Sequence, residues 1–218
     1  MNYSFRKKNK TVKYVVLHYT GMESLQLAYK KLNSLSSDVS CHYLISRNGL
    51  IYNLLCPQFK AWHAGKSKWH KTSNLNDESI GIELENKGHD HGYQNFTLKQ
   101  YASLRKLSLF LKKNFYINNN DFLFHSDIAP NRKKDPGEKF NFNKIAIKRN
   151  KAEIKNFEFN KKDINKLLKL YGFHNYYISR YRKDCIIAVK RSLNYKMELI
   201  NSKITNIFLK DFYNSIFK

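Results

Sequence analysis

Short apolar runs alternate with polar turns along the chain, and two periodicities take turns. Val15, Val16 and Leu17 form a continuous apolar run within residues 12–19, which predicts a buried strand ending in His18-Tyr19-Thr20-Gly21. Leu25, Ala28, Tyr29 and Leu32 recur at helical spacing. Residues 40–45 and 50–55 read as paired strands joined by Arg47-Asn48-Gly49, a turn suited to positive φ. A long polar loop is expected from Lys60 to Glu78. Ile80, Ile82 and Leu84 then alternate with Gly81, Glu83 and Glu85 at strand period. Leu98, Tyr101, Leu104, Leu107, Leu111 and Phe115 define an amphipathic helix that Thr97 opens as N-cap or first-turn residue. Phe122-Leu123-Phe124 reads as a strand, and a short helix is expected over residues 144–148. Residues 149–160 are charged and aperiodic and read as a linker. Three short helices are expected beyond it: around Ile164–Leu170, within residues 177–192, and over residues 204–216.

This order of elements predicts an α/β (α+β) chain. A mixed central sheet flanked by helices occupies residues 1–150, and a small helical domain occupies 151–218. The 218 residues suffice for one substantial core with such an appendage. There are no internal repeats.

Charge widens the list of partners. Lys+Arg of 40 against Asp+Glu of 17 gives a net charge of +23. That predicts attraction to polyanions: nucleic acid, an anionic membrane surface or an acidic wall polymer. AT-rich coding, which favours Lys, Asn, Ile, Tyr and Phe, produces the same bias without a partner. Nucleic-acid binding rests on charge alone, without a motif of interleaved aromatic and basic residues, and is not expected. The three cysteines, Cys41, Cys56 and Cys185, supply neither a disulfide framework nor a CxxC knuckle. The basic N-terminal residues lack a following apolar stretch, and no segment reads as a membrane span. The expectation is a cytoplasmic monomer, or a periplasmic or secreted one if an export signal has been removed.

The candidate chemistry lies mostly at strand ends. His125 follows a strand and opens a loop, residues 125–137, that carries Lys133 and Asp135 between two prolines. An imidazole, a carboxylate and a cation on a stiff loop can form a metal site with an attached electrophile, or a plain basic loop. His18 is a ligand or an ordinary strand-end histidine, and His42 is expected to be a core imidazole or one that supports a ligand, not a ligand itself. Glu83 and Glu85 share a strand face that either lines a cleft or meets solvent. Trp62 and His63 form either a wall for a sugar or peptide, or a plug with an exposed imidazole.

Together these segments resemble a known family. Val15-Val16-Leu17-His18-Tyr19-Thr20, Ser40-Cys41-His42-Tyr43-Leu44-Ile45, Ala61-Trp62-His63-Ala64-Gly65, Ser79-Ile80-Gly81-Ile82-Glu83-Leu84-Glu85-Asn86 and the segment from His125 to Gly137 follow the order found in AmpD/AmiD-type N-acetylmuramoyl-L-alanine amidases. The resemblance covers residues 12–148 and leans to the AmiD-like branch through Glu85-Asn86-Lys87-Gly88 and the appended helical domain. It implies a fold like that of peptidoglycan recognition proteins. It implies Zn²⁺ held by His18, His125 and Asp135, with Glu83 as general base and Lys133 as transition-state cation. Trp62 and His63 are then expected to line a cleft for peptidoglycan or an anhydro-muropeptide. The implied reaction is hydrolysis of the amide between the lactyl group of N-acetylmuramic acid and L-alanine. A non-catalytic peptidoglycan-binding protein on the same scaffold is the alternative. The C-terminal helices resemble an attached wall-binding domain but lack its Gly-rich turn before the last helix.

Overall fold

The computed structural model describes residues 2–147 and 163–217. Its strands are β1 (Tyr3–Phe5), β2 (Tyr14–Tyr19), β3 (Tyr43–Ile45), β4 (Ile51–Asn53), β5 (Phe59–Ala61), β6 (Lys68–Trp69), β7 (Thr72–Ser73), β8 (Ser79–Leu84) and β9 (Phe122–Phe124). Its helices are α1 (Leu25–Asn33), α2 (Leu98–Phe115), α3 (His125–Ile128), α4 (Ile164–Tyr171), α5 (Asn175–Arg180), α6 (Arg182–Ser192) and α7 (Asn206–Phe217).

Five strands form a mixed sheet in the order β4-β3-β8-β2-β9. β3, β8, β2 and β9 run parallel, and β4 closes one edge antiparallel to β3. The register decides where the chemistry lies. His18 stands opposite Glu83, and Leu17 stands opposite Phe124. His125, the next residue after β9, therefore emerges beside His18. Three chemical side chains from distant parts of the chain meet at the carboxyl ends of parallel strands, where open α/β sheets place their ligands.

Alternation along the strands sorts two cores. Val15, Leu17, Ile80, Ile82, Leu84, Phe122 and Phe124 face α2, which buries Tyr101, Leu104, Leu107 and Leu111 against them. Thr97 caps α2 in a reciprocal box with Gln100: Thr97 Oγ1 accepts from Gln100 N at 3.0 Å, and Gln100 Oε1 accepts from Thr97 N at 3.0 Å. Such a cap contributes about 0.5–2 kcal/mol. On the opposite face Tyr14, Val16 and Leu123 join one apolar cluster with Leu167, Leu168, Val189, Phe208 and Phe212 of the C-terminal helices. That face is apolar where β2 begins and chemical where it ends, at His18.

Several expected elements differ. The loop expected over 60–78 begins within β5 and contains the β6–β7 hairpin and a 3-10 turn, Leu75–Asp77. The helix expected over 144–148 is a 3-10 turn, Phe142–Ile145, and Lys148 lies outside the described residues. The expected linker and the boundary near 150 also lie outside them. Among the described residues four helices, not three, follow, because the helix expected within 177–192 breaks at Tyr181. There the backbone leaves helical geometry (φ −134°, ψ 36°), ending α5 and starting α6.

Gly172 shows how closely the C-terminal helices fit. It closes α4 at φ +132°, and an added Cβ would lie 2.2 Å from the Trp69 ring. Only glycine meets both demands.

Candidate metal centre

Three atoms converge at the end of β2. His18 Nδ1, His125 Nδ1 and Asp135 Oδ2 lie 2.9 Å from one another, pair by pair. All three residues are buried. The local backbone explains the arrangement. His125 opens α3 directly from β9, so the expected loop begins as one helical turn. The chain then returns so that Ser126 N donates to Asp135 O at 3.1 Å, which fixes Asp135 across from the helix start. Arg132 pins the loop from outside, donating to Lys66 O at 2.8 Å and to Ala64 O.

Hydrogen bonds on the far side of His125 show which nitrogen is bare. His125 Nε2 lies 3.2 Å from Ala64 O, and a carbonyl only accepts. The neutral ring therefore carries its proton on Nε2 and presents a lone pair from Nδ1, a tautomer assigned from this network. Burial pushes the imidazole down to about 4, against the pull of Asp135, so it is neutral near pH 7. Burial also pushes the Asp135 carboxyl up, but the two imidazoles outweigh it and hold the group well below the usual carboxylate range. An anionic oxygen and at least one bare nitrogen face each other across 2.9 Å with no proton between them. A cation resolves that conflict. Two imidazoles and one carboxylate also form a donor set that leaves a tetrahedral metal one position for water or substrate. The residues fit a metal ion.

Glu83, Lys133 and the three converging residues line one cavity of about 350 Å³. Glu83 Oε2 is buried and has no hydrogen-bond partner among the described residues. Burial is the largest influence on this carboxyl, followed by Asp135, and both raise it well above its usual range; Lys133 opposes them. A cation among the three ligands would also draw it down. Glu85, expected on the same face, lies beyond the end of β8 and turns to the hairpin instead. Its Oε2 accepts from Arg47 N at 2.7 Å.

The adjacent aromatic pair separates. Trp62 is not among the residues that line this cavity; its Nε1 donates to Ser4 Oγ at 3.3 Å. His63 points the other way and packs beneath His18, with Nδ1 3.0 Å from His18 Nε2. It borders the cavity but is buried, with its nitrogens turned to His18 and Ser79. Trp62 and His63 therefore do not line this cavity together: Trp62 stands at a bend just past the end of β5, and the two side chains make separate contacts. His42 is a core imidazole as expected: Nδ1 accepts from Gly81 N at 2.9 Å, and burial pushes it down to about 3.

Asn76 and Arg132 also hold the site, and neither is singled out by a sequence pattern. Asn76 Oδ1 accepts from His63 N at 3.1 Å and from Ala64 N at 2.7 Å, fixing the segment that cradles both histidines. Its only signal in the sequence is an asparagine between Leu75 and Asp77 in a stretch that reads as loop.

Comparison with known proteins agrees with this geometry. A family model described as N-acetylmuramoyl-L-alanine amidase (Amidase_2) matches residues 8–138. The N-acetylmuramoyl-L-alanine amidase AmiD of Escherichia coli K12 is 35% identical over 147 residues, 62% of this chain and 52% of that protein. The 1,6-anhydro-N-acetylmuramyl-L-alanine amidase AmpD of Haemophilus influenzae is 41% identical over 105 residues, 48% of this chain and 55% of that protein. The chain thus spans about half the length of the curated relatives it matches. Among solved structures, E. coli AmiD in complex with anhydro-N-acetylmuramic acid-L-Ala-D-γ-Glu-L-Lys superposes with a TM-score of 0.74 at 25% identity, covering 94% of this chain and 87% of that one. An AmpD structure superposes with a TM-score of 0.58 at 27% identity, covering 66% of this chain and 88% of that one. The chain belongs to the Amidase_2 family of N-acetylmuramoyl-L-alanine amidases.

Proposed function

We propose that this protein is a zinc-dependent amidase. It hydrolyses the amide between the lactyl group of N-acetylmuramic acid, in 1,6-anhydro form, and the L-alanine of the stem peptide. The observation that carries this reading is the meeting of His18 Nδ1, His125 Nδ1 and Asp135 Oδ2 at 2.9 Å, in one cavity with a Glu83 oxygen that has no partner among the described residues. The anhydro form is favoured because the AmpD relatives are named for it and the AmiD structure holds such a peptide.

His18, His125 and Asp135 would hold the zinc. When bound there it supplies a Lewis acid and makes water a stronger acid. Glu83 takes a proton from the attacking water as the new C–O bond forms at the lactyl carbonyl. It returns that proton to the alanine nitrogen as the C–N bond breaks. Lys133, half-buried in the same cavity, stabilises the negative charge that develops on the carbonyl oxygen. One such donor contributes about 3 kcal/mol in comparable sites. Lys133→Met is therefore expected to lower kcat by about 10²-fold with a smaller effect on KM, read from initial rates.

In this reading the C-terminal helices brace the catalytic part. They share the core of Val16 and Leu123, and Asn194 Nδ2 donates to Glu138 O at 3.0 Å, three residues beyond Asp135. No described helix is long and apolar enough to cross a membrane.

Mass spectrometry of products tests the assignment. Incubation with an anhydro-muropeptide is expected to release a free peptide beginning with L-alanine and an anhydro-sugar with its lactyl carboxylate. Cleavage elsewhere in the peptide overturns the assigned bond. Zinc binding without turnover supports the non-catalytic alternative. Faster turnover of whole sacculi than of the anhydro-muropeptide overturns the anhydro preference.

A further inference from the structure

We infer that His63 and Ser79 form a hydrogen-bond relay that fixes the tautomer and orientation of His18 and so prepares its Nδ1 for the metal. This rests on the reading of His18, His125 and Asp135 as a zinc site. It makes His63 a positioning residue, in place of the substrate contact that its neighbour Trp62 suggests.

The direction of every hydrogen bond in the relay follows from one fixed end. Ser79 Oγ lies 2.6 Å from Leu75 O. Two oxygens this close need a proton between them, and the carbonyl has none, so the hydroxyl donates to Leu75. Ser79 Oγ can then only accept from His63 Nε2, which lies 3.2 Å away. His63 Nε2 therefore carries the proton, and Nδ1 of the neutral ring is bare. That bare nitrogen lies 3.0 Å from His18 Nε2 and accepts its proton. His18 Nδ1 is left as a lone pair, facing His125 Nδ1 and Asp135 Oδ2. The order is Leu75 carbonyl, Ser79 hydroxyl, His63 imidazole, His18 imidazole, metal position.

Packing holds the relay in place. Ser79 and His63 are buried. The His63 ring packs against Gly81, where an added Cβ would come within 2.4 Å of Cγ. The His63 amide is bonded to Asn76 Oδ1 at 3.1 Å. His125 is held on its far side by Ala64 O, the residue after His63. One segment, residues 63–64, thus sets both histidines, and groups of this kind typically change metal affinity 10–100-fold.

The test is zinc affinity of the metal-stripped full chain, measured by competition with a chromophoric chelator. Cobalt(II) absorption serves as a second readout, and circular dichroism checks folding. His63→Leu is expected to bind zinc about 10–100-fold more weakly and to alter the cobalt bands. His63→Asn, whose side-chain oxygen can accept from His18 Nε2, is expected to recover part of the affinity. Ser79→Ala removes only the remote end and is expected to weaken binding in the same direction by less. Folded His63→Leu with wild-type zinc affinity and unchanged cobalt bands overturns the relay. If His63→Leu does not fold, wild-type affinity in Ser79→Ala does so. Wild-type protein that binds no zinc overturns the metal site itself.

Discussion

Glu83→Gln is expected to lower kcat by about 10²–10⁴-fold, the usual worth of a positioned general base. Glutamine keeps the shape of the side chain but cannot take a proton from water. The loss corresponds to roughly 3–5 kcal/mol of transition-state stabilisation. Zinc content should not fall, because Glu83 is not one of the three converging groups. KM should change less than kcat, since the role exists only along the reaction path. Glu85→Gln is the control. Glu85 accepts from the Arg47 amide at the hairpin, away from the cavity, so its variant should turn over normally. Rates are read by chromatography of an anhydro-muropeptide, with metal content measured on the same samples. A Glu83→Gln enzyme at wild-type rate would remove Glu83 from the mechanism.

Stripping the metal is expected to reduce hydrolysis to background and to lower the melting temperature. The first effect follows from losing the Lewis acid while Glu83 and Lys133 remain. The second follows from linkage: a metal that binds only the folded chain stabilises it by about 2.7 kcal/mol at a concentration 100 times its Kd. For a chain of this size that is a shift of roughly 5–10 °C. The local cause is visible in the site. Without a cation, the Asp135 carboxylate and the bare Nδ1 of His125 face each other at 2.9 Å. Differential scanning fluorimetry with and without added zinc reads the shift. An unchanged melting temperature together with unchanged turnover would contradict the metal reading.

Much of the site was legible because it sits on regular strands. Ile80, Ile82 and Leu84 turn to the α2 core, so Gly81 and Glu83 must turn to the other face. Phe122-Leu123-Phe124 delivers His125 to the same sheet edge as His18 once the strands pair in parallel. What the pattern could not say was where the segment from Trp62 to Ser79 folds. His63 reaches His18 only because that segment crosses Gly81, a tertiary contact with no local signature. Trp62 and His63 are adjacent in sequence, yet one bonds Ser4 and the other His18, contacts that only the fold sets. The C-terminal helices were legible as amphipathic, but periodicity does not name the surface that an apolar face covers. Trp69 against Gly172 supplies that information, and it exists only in three dimensions.

His18, His125 and Asp135 are proposed to form one zinc centre on which amide hydrolysis depends. Titrating zinc back into the stripped chain while following peptide release from an anhydro-muropeptide tests it most directly. Activity is expected to return linearly and to saturate at one zinc per chain, and His125→Ala is expected to regain none of it. Peptide release that persists in the fully stripped protein, or one bound zinc per chain with no release, would contradict it.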